Sequence, residues 1–133
     1  MRTISEILDT SQVVAVVGLS PKHDRDSYRV AKYLQEQGYI VLPVNPNEDE
    51  ILGSKCYPDL LAIKERIDIA VIFRRAELVP QIVEDAVGAG VASIWMQLGI
   101  VNHAAATIAS GEGMDVVMDK CIMIEDVARR QAH

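Results

Sequence analysis

The stretch Val13-Val14-Ala15-Val16-Val17-Gly18-Leu19-Ser20, with the polar run that continues to Ser27, decides how this chain is read. Five small or β-branched apolar residues without polar alternation describe a strand buried on both faces, as in a parallel sheet. The strand ends at a glycine, a hydroxyl follows, and the charged loop Ser20-Pro21-Lys22-His23-Asp24-Arg25-Asp26 leads toward a helix. A helix N-terminus reached in this way offers free N–H groups and the positive end of the helix dipole to an anion. The stretch points to a phosphate-bearing ligand.

Working outward, Thr3-Ile4-Ser5-Glu6 has the spacing of a capping box and predicts a short helix from about Ile4 to Asp9. After the charged loop, a helix near Ser27 to Gln37, capped by Asp26 or Ser27, puts Val30, Ala31 and Leu34 on one face. Tyr39 to Val44 reads as strand two, with Pro43 placed near its end because proline removes a ladder donor. Asn45-Pro46-Asn47 opens a loop, and Asp59 to Glu65 fits a modest helix. Strand three, Ile69 to Phe73, precedes a helix over Glu77 to Val87 that Gly88 and Gly90 end. Strand four runs from Ala92 to Met96, a helix spans Ala104 to Ala109, strand five covers Asp115 to Met118, and a last helix covers Ile124 to Arg130.

Strand–helix alternation with short connections is the mark of right-handed βαβ units. The expected fold is therefore α/β: one domain over residues 1–133 with a doubly wound, Rossmann-like parallel sheet of five strands in the order 3-2-1-4-5 and helices on both faces. Ligands of such sheets lie beyond the C-terminal ends of the strands, here beside the switch point between strands one and four.

Composition bounds the function. A chain of 133 residues, 50% hydrophobic and 24% charged, suits one soluble domain with a single sizeable core. The net charge of −6 argues against general nucleic-acid binding, which needs clustered Lys and Arg. No apolar run approaches the roughly 18 residues of a membrane span, and the early charge at Arg2 argues against a secretory leader. Cys56 and Cys121 have neither metal-type spacing nor a disulfide framework, so a reducing cytoplasm is the default expectation.

At the strand ends, Gly18 permits a tight turn and close backbone approach, and Ser20 and Ser27 add hydroxyl donors for a pyrophosphate. The dinucleotide fingerprint G-x-G-x-x-G is missing, because Ser20 stands where its second glycine belongs. Strand two ends in Val44-Asn45-Pro46, without the carboxylate that pairs with the ribose of NAD, so NAD loses ground; Pro46 can lie along an adenine or ribose instead. Lys22, Arg25 and Arg29 around the loop, and Arg74-Arg75 after strand three, are the cations available to a further phosphate. Trp95 reads first as core and Gln97 as a polar group at a strand end. Cys121, near the crevice, reads first as an inert buried thiol, and His23, His103 and His133 propose neither a triad nor a metal site. No catalytic machinery stands out.

Taken together, Val17-Gly18-Leu19-Ser20, Asp24-Arg25-Asp26-Ser27-Tyr28-Arg29-Val30, Pro43-Val44-Asn45-Pro46, Asp68-Ile69-Ala70-Val71-Ile72-Phe73-Arg74-Arg75, Trp95-Met96-Gln97-Leu98-Gly99 and Val117-Met118-Asp119-Lys120-Cys121 resemble the small stand-alone CoA-binding proteins. Their fold is similar to the CoA-binding domain of the succinyl-CoA synthetase α subunit. The likeness runs in order from about residue 10 to residue 127, with Asp26 standing where proline is more usual. It implies CoA or acyl-CoA as ligand, with Gly18, Ser20 and Ser27 at the pyrophosphate and Asn45 and Pro46 along the adenosine. Phe73 and Arg74 would line the adjacent edge, with Trp95 to Gln97 toward the pantetheine arm. Tyr28 and Gly99 lie in the same segments and join the expected site, and one of the loop cations would meet the 3′-phosphate. The ligase reaction of the synthetases, which needs a phosphohistidine and a second domain, does not follow. The leading expectation is a non-catalytic carrier, sensor or accessory subunit. Its rivals are an NAD(P)-binding oxidoreductase or redox sensor, and a protein-interaction domain that kept the fold and lost the ligand.

Overall fold

The computed structural model describes residues 1–132. The order of elements is α1 (Ile4–Thr10), β1 (Val13–Val17), α2 (Asp26–Glu36), β2 (Ile40–Val44), a small hairpin of β3 (Glu50–Ile51) and β4 (Ser54–Lys55), then β5 (Ile69–Ile72). After these come α3 (Val79–Ala89), β6 (Ser93–Met96), α4 (His103–Gly111), β7 (Asp115–Val117) and α5 (Ile122–Gln131). The Thr3–Glu6 capping box is formed in both directions. The segment at Asp59 to Glu65 holds only a short 3-10 turn, Leu60–Ala62, capped by the Asp59 carboxylate. Gly88 continues α3, and the left-handed turn falls at Gly90, with φ of 71°.

The α/β doubly wound class stands, with five parallel strands and helices on both faces. The strand order is β2-β1-β5-β6-β7. The third long strand, β5, therefore lies beside β1, where the order 3-2-1-4-5 would have put it outside β2. Pro43 supplies the physical reason. Its neighbours Leu42 and Val44 face β1 in register with Ala15 and Val17, so Pro43 faces away. There its missing N–H removes no bond to β1, and its carbonyl accepts from Tyr57 N at 2.9 Å. A strand with that residue belongs at the sheet edge. The switch point consequently falls between β1 and β5, strands one and three of the long set, as in the flavodoxin-like winding.

Alternation along the strands divides the core into two. Ala15, Val17, Ala70, Ile72, Ile94 and Met96 face α3 and α4. Val14, Val16, Ile69, Val71 and Trp95 face α1, α2 and α5. Both layers are apolar, which is why β1 shows no polar alternation in sequence.

One buried charge ties three helices together. Asp126 on α5 is fully buried and accepts hydrogen bonds of 2.7 Å from Tyr33 Oη, Tyr39 Oη, Arg129 Nη2 and Arg130 Nε. Arg129 also pairs with Asp9 on α1. Burial alone would raise the Asp126 carboxyl, but the donors from Arg130, Tyr33, Arg129 and Tyr39 outweigh it and hold the pKa at about 2. Burial and the bond to Asp126 push Tyr33 up to about 12. Because the Asp126 value is depressed on folding, its stabilisation is complete above pH 4 and is lost as pH falls through about 2. In chemical denaturation, the stability gap between wild type and Asp126→Asn should narrow by about 2 kcal/mol across that window. A gap independent of pH would refute the assignment.

Candidate functional site

The crevice forms where β1 and β5 end. Gly18 has φ of 86°, and a Cβ there would lie 2.6 Å from the Phe73 carbonyl oxygen and 2.8 Å from Arg74 Cδ. Glycine is required on two counts, conformation and space. Its N–H donates to the Val44 carbonyl at 3.0 Å, and Phe73 N donates to Val17 O at 2.9 Å, so three strand ends converge on this one residue.

Past Gly18, the loop is fastened by hydroxyls. Ser27, 5% exposed, accepts from Ser20 N at 3.0 Å, and Ser20 Oγ accepts from Lys22 N at 3.1 Å. Each hydroxyl keeps its own hydrogen for a ligand. Helix α2 begins one residue before the expected Ser27. Its N-cap is Arg25, which makes no side-chain capping bond, so neither Asp26 nor Ser27 caps it. The N–H groups of the first turn have no helical acceptor and stand beside the Ser20 and Ser27 hydroxyls. Tyr28 is half-buried and stacks on His23 with ring centroids 4.4 Å apart.

Two cavities open at the strand ends, and the first turn of α2 lines one of them. One, of about 130 Å³, is lined by Val17, Val44, Pro46, Pro58, Asp59, Leu60, Arg74, Ile82 and Asp85. Asn45, between the lining residues Val44 and Pro46, donates from Nδ2 to Leu19 O at 3.0 Å and accepts from Asn47 N at 2.8 Å. The other, of about 290 Å³, runs from Asp26, Arg29 and Val30 on α2 past Phe73 to Gln97, Leu98, Ile100, Cys121, Met123 and Ile124. Larger, more open depressions of about 320 and 720 Å³ lie at the opposite end of the sheet, around Ser11, Gln12 and Tyr39 and around Arg2 and Asp115. They face the N-terminal ends of the strands, where doubly wound sheets do not bind ligands. Their charges, such as Arg2 with Asp115 at 2.7 Å, are already paired.

Most of the expected residues come together here: Gly18, Ser20, Ser27, Asn45, Pro46, Phe73, Arg74 and Gln97. The cations separate into two groups. Arg29 pairs with Asp26 and donates to Asp24 O at 2.7 Å, and Arg75 lies 3.3 Å from Glu77. Lys22, Arg25 and Arg74 are exposed and form no ion pair among the described residues. Trp95 does not reach the crevice. It is fully buried in the layer under α1, α2 and α5, and Nε1 donates to Lys120 O at 2.8 Å. Gly99 is exposed at φ of 83° and donates to Asp119 Oδ1 at 2.7 Å, which shapes the loop beside the larger cavity. Cys121, expected as an inert buried thiol, is half-buried and lines that cavity. Leu98 lies in the expected strand-end segment, whereas Ile100, Met123 and Ile124 were not anticipated. Helix α5 starts at Ile122, two residues before the expected Ile124, and this turns its first turn into a cavity wall.

The model of the CoA binding domain family matches residues 12–126, and the chain belongs to that family. It is 42% identical to the uncharacterized protein YneT of Bacillus subtilis over 91% of this chain and 90% of that protein. A hypothetical protein from Pyrococcus horikoshii superposes with a TM-score of 0.93 at 39% identity, covering 96% of this chain and 89% of that one. Over 74 residues the chain is 43% identical to acetate–CoA ligase (ADP-forming) I of Archaeoglobus fulgidus, which takes in 56% of this chain and 11% of the ligase.

Gly18→Ala combines a left-handed backbone with a clash against the Phe73 carbonyl, and it should cost about 2 kcal/mol or more in urea denaturation. Gly113→Ala has a similar φ of 82° but open space around it, and should cost less. Equal losses would show that the close approach at Gly18 is unimportant.

Proposed function

We propose that the chain binds coenzyme A across the C-terminal ends of β2, β1, β5 and β6. The observation that carries the reading is a pair of cavities at the strand ends, one lined by Val17, Pro46 and Arg74 and the other by Phe73 and the uncapped first turn of α2, with Gly18 lying against both Phe73 and Arg74. CoA has that layout: an adenosine at one end, a pantetheine arm at the other and a pyrophosphate between them. The pyrophosphate would sit at Gly18, the Ser20 and Ser27 hydroxyls and the first-turn N–H groups of α2. The adenosine would occupy the cavity of Pro46 and Leu60, and the pantetheine arm the one lined by Phe73 and Gln97. Arg74 is the cation best placed for the 3′-phosphate, since it lines the adenosine cavity and among the described residues has no carboxylate partner within salt-bridge distance.

The role is binding, as a carrier, sensor or accessory subunit for CoA or acyl-CoA. The crevice hydroxyls support it: Ser20 and Ser27 hold loop N–H groups, and among the described residues no base is hydrogen-bonded to either. NAD is disfavoured because Asn45, at the end of β2, spends its amide on the Leu19 carbonyl and offers no carboxylate to a ribose diol.

Calorimetry should give low-micromolar or tighter binding of CoA, about tenfold weaker binding of dephospho-CoA, and little heat with NAD. In Arg74→Gln the difference between CoA and dephospho-CoA should shrink toward nothing. Equal affinities in the wild type would refute the cation assignment, and tighter NAD binding would refute the ligand.

A further inference from the structure

The larger cavity holds two features that the grip on an ADP moiety does not use. Cys121, at the N-cap of α5, contributes to its wall, and the thiol is half-buried. Next to it lies Gln97, only 4% exposed, whose Oε1 accepts from Ile122 N at 2.8 Å. Its Nε2 has no hydrogen-bond partner among the described residues, yet it is not sealed from solvent, so this amide donor opens into the cavity. Open to solvent, it can donate to water or to an acceptor of a ligand that fills the cavity. The remaining wall, Val30, Phe73, Leu98, Ile100, Met123 and Ile124, is apolar. The space therefore suits a slender chain with amide carbonyls and methylene segments that enters from the first turn of α2 and finishes near a thiol.

We propose that Cys121 captures the thiol end of such a ligand as a mixed disulfide, with Gln97 Nε2 donating to an amide carbonyl of the arm. The proposal rests on the crevice being a CoA site and adds the chemistry at its far end. The co-reactant is a CoA disulfide. The Cys121 sulfur attacks one sulfur of that disulfide, a new S–S bond forms between Cys121 and one CoA, the old S–S bond breaks, and the second CoA leaves as a thiolate. That thiolate takes up the proton Cys121 gave, so there is no net oxidation. Cys56 is a poor competitor. It is buried beside Glu48, Asp49 and Glu50, and burial, followed by those carboxylates, pushes its thiol up.

The test is intact-mass spectrometry of the full chain with CoA disulfide under non-reducing conditions. The expected product is one CoA per chain, removed by dithiothreitol, abolished in Cys121→Ser and retained in Cys56→Ser. Serine is a good N-cap, so the variant should keep α5 in place. Glutathione disulfide at equal concentration should react at least about tenfold more slowly, since it lacks the nucleotide that the grip holds. Equal rates for the two disulfides, or an adduct on Cys56, would overturn the proposal. Calorimetric binding of reduced CoA with no adduct at Cys121 would overturn it and leave the CoA reading standing. No CoA binding at all would remove both.

Discussion

The architecture of the crevice depends on the close approach between Gly18 and the Phe73 carbonyl, 2.6 Å from where a Cβ would stand. β1 and β5 can be hydrogen-bonded neighbours up to their last residues only if the chain leaving β1 turns sharply past the chain leaving β5. A residue without a side chain, at positive φ, makes that turn possible. The turn then aims Leu19 into the core and the Ser20–Asp26 loop over the sheet. In this way a packing constraint between two strands sets the position of the α2 N-terminus, and with it the end of the crevice proposed to hold the pyrophosphate.

The second support is electrostatic and lies at a distance. Asp126 is buried among two tyrosines and two arginines, and it joins α5 to α2, to the start of β2 and, through Arg129, to α1. Its bonds hold the far half of a helix whose first turn carries Cys121, Met123 and Ile124 along the larger cavity. Gln97 completes the arrangement from β6 by accepting the Ile122 N–H. A buried carboxylate that looks like a structural ion cluster thus also determines where one cavity wall stands.

Much of this was legible in the sequence, for identifiable reasons. The apolar run before Gly18, and the strands at Ile69 and Ser93, announce a parallel sheet because both faces of each strand are covered. The crevice residues could be located because they follow strand ends. The strand order was misjudged, although Pro43 held the clue: a proline whose backbone N would face a neighbour cannot sit in a central strand, and β2 is the edge. Trp95 was placed at the site because a strand-end motif does not say which face a side chain takes, and the pleat turns it into the core. Asp126 went unnoticed because its partners are far away in sequence; Tyr33 and Tyr39 are 93 and 87 residues distant. The larger cavity was only half visible, since moving the start of α5 by two residues decides whether Met123 and Ile124 belong to a loop or to a wall.

The central claim is that one extended ligand lies across the C-terminal strand ends. Backbone amide NMR titration of the full chain with CoA tests it most directly. The account expects the largest shifts in one contiguous track: Gly18 to Tyr28, Asn45 and Asn47, Phe73 to Arg75, and Gln97 to Ile100, with Cys121 to Ile124 at its end. Shifts concentrated at the opposite end of the sheet, around Ser11, Gln12, Tyr39 and Asp115, would contradict it.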